Sequence, residues 1–251
     1  MQASDPDGTD EIPAIAFDEG DTRTHDQLTA LWGDVVDIYD EAKECDVYGQ
    51  DENAWCLGVV QKILHVGLGL SGTNMIQLKS VYVVLAPFVL PQCRLKCQLS
   101  QSQAIDPTLL PQSSRNIRVN KKADYTFAFS TRHHDVASMY NDLSLAGSGY
   151  TLSQTTDAFT KRIALFSGIE VKQDDGGKKE ALAQLSIWLS ASLEKMRLLG
   201  GLSRSDPYPN AKLQPIVGWT VIGHDWHTYI AYKSKYNEGD EDDAVVSFRC
   251  N

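Results

Sequence analysis

Apolar positions recur along the chain at two periods. From Asp26 onward, Leu28, Leu31, Trp32, Val35, Val36 and Tyr39 fall at steps of three and four, which predicts a helix. The polar run Gly49–Asn53 breaks it, and a second helix follows with Trp55, Val59, Val60, Ile63 and Leu64 on one stripe, ending in the glycine-rich GLGLSGTN. Met75–Pro87 fits helix and strand equally, Leu95–Leu99 alternates like a strand, and IDPTLLP closes that block with two prolines. In KADYTFAFS, Ala123, Tyr125, Phe127 and Phe129 alternate with Asp124, Thr126 and Ala128, again a strand. Thr131–Asp157 reads as irregular, Ile163–Lys172 as the next strand and Asp174–Gly177 as a turn. Lys178–Leu199 carries the strongest helical pattern, with Ala181, Leu182, Leu185, Trp188, Leu189, Leu193, Met196 and Leu199 on one face and Gly200-Gly201 after it. Ile216–Ile222 and Trp226–Tyr232 flank Gly223-His224-Asp225 as a compact hairpin, and Ala244–Phe248 gives a last strand. Helices and strands thus follow one another in an α/β or α+β single domain without an internal repeat.

A chain of 251 residues with 42% apolar composition suffices for one sizeable core. The longest apolar run, Val81–Leu90, contains a proline and is far short of the roughly 20 residues of a membrane span. The first residues, MQASDPDGTDE, lack a basic or apolar leader. The expectation is an intracellular protein, cytoplasmic or nuclear, without a membrane partner. Residues 1–24 form a flexible acidic segment and 25–251 a single domain in this reading. The five cysteines do not suggest a disulfide framework, and Cys93 and Cys97 have no matching second pair for zinc.

Charge is segregated. Residues 1–52 hold 16 acids against Arg23 and Lys43, and Asn237–Asp243 holds five acids. Residues 53–236 hold 12 acids and 20 bases, a net of +8 within a chain of net −10. A basic middle suits an anionic substrate, and it equally suits a solvated surface flanked by solubilising acids. The glycine-rich GLGLSGTN is not a phosphate loop: it follows a helix and lacks the Lys-Ser/Thr ending.

One set of residues points to chemistry. Glu170 and Lys172 are two apart in a strand and therefore share a face, with Val171 turned to the opposite layer. Asp124 in a neighbouring strand can join them. Two carboxylates hold a hard divalent cation such as Mg²⁺ or Mn²⁺ through oxygen, and an ammonium beside them steadies developing phosphoryl charge.

The pattern Ala123-Asp124 followed by Glu170-Val171-Lys172 resembles the PD-(D/E)xK nuclease superfamily, with alanine in place of the family's proline. Gln184-Leu-Ser-Ile-Trp188 is similar to the Gln-x-x-x-Tyr motif of RecB-like nucleases, with Trp in the Tyr place. Over roughly residues 52–232 the chain resembles a fungal PD-(D/E)xK nuclease-like domain: Glu52-x-x-Trp55 opening a helix, SQSQAIDPTLLP, KADYTFAF, GIEVK, the QLSIW helix and VGWTVIGHDWHTYIA. The resemblance implies a mixed central sheet flanked by helices in αβββαβ order, and a nuclease cutting DNA or RNA with Mg²⁺ or Mn²⁺. It makes Asp124, Glu170, Lys172 and Gln184 the catalytic candidates and Asp124, Glu170 and Glu52 the metal ligands. Lys121, Lys122, His224 and Trp188 are the substrate-facing candidates, although Trp188 also lies on the apolar helical stripe and His224 in a tight turn. His133-His134-Asp135 falls in the irregular stretch and could line the cleft. The alternatives are the same fold used without metal as a cyclase or isomerase on a small-molecule substrate, or as a silent interaction domain.

Overall fold

A computed structural model describes residues 22–72, 75–80, 104–110, 123–174, 176–200, 213–233 and 246–250. The expected acidic head up to residue 21, the Leu95–Leu99 strand, Cys93, Cys97, Lys121 and Lys122 lie outside the described residues. The chain divides into two units, Met1–Asp37 and Ile38–Asn251. Helix α1 (His25–Val47) begins in the first and ends in the second. In the first unit the helical period is as expected, but its apolar stripe is not a core face: Leu28, Val35 and Val36 are exposed and Trp32 is 67% accessible. In the second unit the last turns of α1 bury Ala42 and Cys45.

The second unit holds a six-stranded sheet in the order β1 (Ile76–Ser80), β2 (Tyr125–Phe129), β3 (Ser167–Lys172), β4 (Ile216–Ile222), β5 (Asp225–Lys233), β6 (Val246–Cys250). Among these described strands only β3 and β4 run parallel. A parallel pair needs a crossover, here supplied by the long helix between β3 and β4. The sheet is therefore mixed and the fold α/β, as the sequence implied. Met75–Pro87 resolves as strand over Ile76–Ser80.

Helix α2 (Glu52–Ser71) covers one face. By length and composition it is apolar enough to cross a membrane. Here Trp55, Cys56, Val59, Val60 and Leu64 are buried in one cluster with Tyr125, Ile169, Val171 and Val221 of the sheet. Residues Trp55–Val60 form a wider π-helical turn that buries four of its six residues. Segments of this kind are frequent next to functional sites.

The stretch expected to be irregular contains a helix, α3 (His134–Leu143). Its only buried side chains, Val136 and Tyr140, pack with Leu152, so the helical period has almost nothing to display. The Tyr140 hydroxyl ties it down, donating to the Phe129 carbonyl and accepting from the Ala164 N–H, both at 2.9 Å.

Helix α4 (Lys178–Gly200) covers the opposite face and is the crossover between β3 and β4. Gly168 and Gly218 sit side by side in those strands. A Cβ at Gly168 would come 2.6 Å from Trp188 Cδ1, and one at Gly218 2.7 Å from Leu189 Cδ1. The paired glycines thus open the groove into which the helix settles. The fully buried Trp188 donates its indole N–H to the Ser167 carbonyl at 2.7 Å. Trp188 is therefore a core residue, correcting its place in the substrate-facing set: its side chain is fully buried under the sheet.

Glu194 on α4 accepts from Arg197 in the same helix and, at 2.6 Å, from the buried ammonium of Lys233 on β5. Chiefly the Arg197 hydrogen bonds, against a burial penalty and aided by Lys233, hold the Glu194 carboxyl down at about 2. The stability this contributes is present above the ordinary value of 4.5 and is lost as pH falls toward 2. Glu194→Gln should cost roughly 2–3 kcal/mol at pH 7 by leaving Lys233 buried without its counter-charge. In denaturant titrations the gap to the parent protein should narrow as pH drops below 4.5.

Candidate active site

Four charged side chains meet at one end of the sheet. Asp124 precedes β2 at the place where β2 and β3 part: the ladder between these strands holds a single pair, Tyr125↔Ile169. Beyond it, side chains complete the contact, Thr126 Oγ1 donating to the Ser167 carbonyl and the Phe127 N–H to Ser167 Oγ. On the other side Asp124 straddles β3. Its N–H donates to the Ile169 carbonyl at 2.9 Å and its Oδ2 accepts from the Val171 N–H at 2.7 Å. These bonds fix the carboxylate beside Glu170, the residue between.

Ile169 and Val171 enter the apolar layer under α2, so Glu170 and Lys172 project together from the other face of β3. The Lys172 ammonium lies 2.9 Å from Glu170 Oε1 and 2.9 Å from Glu52 Oε2. Glu52 occupies the first turn of α2, which Asp51 caps by accepting from the Ala54 N–H at 3.0 Å. A carboxylate there is favoured by the helix dipole. Lys172 thereby bridges two elements 120 residues apart in sequence.

Electrostatically the group is crowded, with three carboxyl groups around one ammonium. Glu170 and Asp124 are both buried. Burial, then the Asp124 carboxylate, push the Glu170 carboxyl up to about 9 against the pull of Lys172. Burial opposes the charge on Lys172, but the Glu170 carboxylate and the hydrogen bond to Glu52 outweigh it and hold the ammonium above the usual lysine range. Next to them Cys56 is buried on α2; burial, then the charges of Asp124 and Glu52, push its thiol far up, so it stays protonated and unreactive.

Glu170 Oε2 is buried and has no hydrogen-bond partner among the described residues. Leaving a buried carboxylate oxygen unmatched is costly, and two adjacent carboxylates repel. A hard divalent cation relieves both, and the donors are all oxygen, the set Mg²⁺ and Mn²⁺ take. The residues present therefore fit such an ion: Asp124 and Glu170 would hold it, with the Glu52 carboxylate close by on Lys172.

The other sequence candidates are distributed differently. Gln184 is buried on α4, its amide donating to Glu180 Oε1 at 2.9 Å, one turn earlier in the same helix. The sequence motif does not single out Glu180, although the i, i+4 spacing on a helical flank is the signal for such a pair. His224 sits in the β4–β5 turn, exposed, its ring edge-on to Trp55 with centroids 5.0 Å apart. His133, His134 and Asp135 lie at the start of α3, beyond the end of β2 remote from Asp124, and not in a loop as expected. Their donor atoms fall within 4.8 Å of one another, but they do not join the site at Asp124.

A family model for the PD-(D/E)XK nuclease superfamily matches residues 1–248. The chain belongs to the PD-(D/E)XK nuclease superfamily. No curated protein and no solved structure matches the chain. Asp124, Glu170 and Lys172, whose pattern resembles the motif in the superfamily's name, are the side chains that meet at this end of the sheet, with Ala123 before the aspartate. The Ala123 side chain is buried in the α4-side core, so the exchange leaves the polar group intact.

Proposed function

We propose that this superfamily member is a nuclease that hydrolyses phosphodiester bonds in nucleic acid with the help of Mg²⁺ or Mn²⁺. The observation that carries the reading is the buried, unmatched Glu170 Oε2 beside Asp124, within reach of an ammonium already held by Glu170 and Glu52. A bound cation would polarise the phosphoryl oxygen and lower the pKa of a coordinated water. Asp124 and Glu170 are the ligands in this reading. Lys172, fixed as an ammonium, orients the attacking water and donates to the charge that builds on the phosphoryl oxygens. Water oxygen bonds to phosphorus as the bond to one sugar oxygen breaks; the half-exposed Glu52 carboxylate receives the proton that water gives up, and the departing sugar oxygen takes a proton from solvent water. The basic middle of the chain supplies contacts to other phosphates.

The test is direct. Purified protein with Mg²⁺ or Mn²⁺ should cut end-labelled DNA or RNA, and a chelator should stop it. If no nucleic acid is cut with any divalent ion, the reading is lost.

A further inference from the structure

The start of α3 gathers a second group of metal-binding side chains, separate from the site at Asp124. His133, His134 and Asp135 follow one another, and one donor atom from each lies within 4.8 Å of the other two. The backbone of His133 is pinned on both sides: its N–H donates to the Ser130 carbonyl at 3.1 Å, and its carbonyl accepts from the Ala137 N–H at 3.0 Å. The imidazoles of His133 and His134 are stacked, with centroids 5.2 Å apart and planes 28° from parallel. Asp135 reaches both rings, Oδ1 lying 2.7 Å from His134 Nε2 and Oδ2 3.8 Å from His133 Nδ1. The second separation is too long for a hydrogen bond. His133 Nδ1 is thus buried with no hydrogen-bond partner among the described residues.

A buried ring nitrogen left unmatched is costly. Beside a second imidazole and a carboxylate, it is the kind of atom that a borderline metal ion satisfies. Two nitrogens and one oxygen suit Zn²⁺ or Cu²⁺, whereas Mg²⁺ takes oxygen. At ordinary zinc–ligand lengths, tetrahedral donors lie roughly 3.3 Å apart, so drawing this set together takes side-chain movements of about 1.5 Å or less. The exposed His134 and Asp135 side chains can make them while the mostly buried His133 stays in place. We propose that His133, His134 and Asp135 form a transition-metal site that takes Zn²⁺ through two imidazole nitrogens and one carboxylate oxygen. Three protein ligands leave the fourth position to water. The helix dipole disfavours a cation in a first turn, an effect the Asp135 carboxylate offsets. Bound zinc would clamp the first turn of α3, whose other anchor is the Tyr140 hydroxyl on the Phe129 carbonyl. The proposal is independent of the nuclease reading, since it shares neither residues nor ion with the site at Asp124.

Zn²⁺ is titrated into the full-length protein by isothermal calorimetry, with Mg²⁺ in millimolar excess to fill the all-oxygen site. The parent is compared with His134→Gln, Asp135→Asn and His133→Gln, with near-ultraviolet circular dichroism to confirm the fold of each. The first two change exposed side chains, so the comparison does not depend on how His133→Gln folds. Zinc held elsewhere on the chain is common to all four proteins and cancels in the difference. Each variant should bind zinc at this site about tenfold or more weakly than the parent. Zinc should raise the melting temperature of the parent more than that of any variant, because it binds the folded state. Cu²⁺ added below one equivalent should give the parent an electron paramagnetic resonance signal split by two imidazole nitrogens, with one contribution lost in His134→Gln. Equal zinc uptake by the parent and all three variants overturns the proposal. So does a copper signal unchanged by His133→Gln and His134→Gln, or zinc uptake that Mg²⁺ abolishes, which would put the ion on oxygen donors.

Discussion

Asp124→Asn should make the metal-free protein more stable, raising its melting temperature by about 2–6 °C, while abolishing cleavage. The amide keeps an oxygen to accept from the Val171 N–H, so the local bond at 2.7 Å survives. What disappears is the Asp124 charge beside Glu170, the second-largest influence holding the Glu170 carboxyl up at about 9. Sites organised to bind a cation store repulsion of this kind, and relieving it commonly stabilises a protein by about 1–2 kcal/mol at the expense of function. The pH dependence gives the sign. Glu170 keeps a proton in the folded state that the unfolded chain would release above 4.5, so its contribution is fully present below 4.5 and is lost as pH rises through about 9. With Asp124 neutralised, Glu170 moves back toward its ordinary range and that loss ends at a lower pH. The stabilisation should therefore be largest near pH 8 and shrink toward pH 4.5, as thermal melts across that range would show. A variant less stable than the parent at pH 8 would mean that Asp124 is a structural partner and not a strained ligand.

Lys172→Ala should separate turnover from metal binding. The ammonium touches both Glu170 and Glu52, yet in the proposed reaction it acts on water and phosphate. Its loss should lower turnover by about 10²–10³-fold, the usual effect of removing one donor to developing charge. Affinity for Mn²⁺ should stay or rise, because two carboxylates lose a competing cation. The metal-free variant should melt lower than the parent, with its carboxylates unpaired, and added Mn²⁺ should restore much of the difference by binding only the folded state. Comparable loss of metal affinity and of turnover would instead place Lys172 in the architecture of the metal shell.

What the sequence disclosed follows from how each feature is encoded. A period of two is short-range, so the common face of Glu170 and Lys172 is legible from their spacing, and the structure holds them 2.9 Å apart. The long helix over Lys178–Gly200 announces itself because nearly every third or fourth residue is buried. The helix at His134–Leu143 does not, since two buried side chains in ten residues leave no pattern. Glu52 illustrates a different limit: its place in a first helical turn is visible, but the partner that gives it meaning lies 120 residues away and is set by tertiary packing. Trp188 shows how a motif can mislead, because matching an aromatic position says nothing about which side of the helix faces solvent. Trp32 shows the converse, an apolar stripe with the right period and no buried face among the described residues.

The most direct measurement of the central claim is a Mn²⁺ titration of the metal-free protein, followed by the electron paramagnetic resonance signal of the free ion, with Asp124→Asn run in parallel. The account predicts saturable binding by the parent and its loss in the variant, whose fold is intact or firmer than the parent's. A parent protein that leaves all Mn²⁺ free, or an Asp124→Asn protein that binds it equally well, would contradict the account.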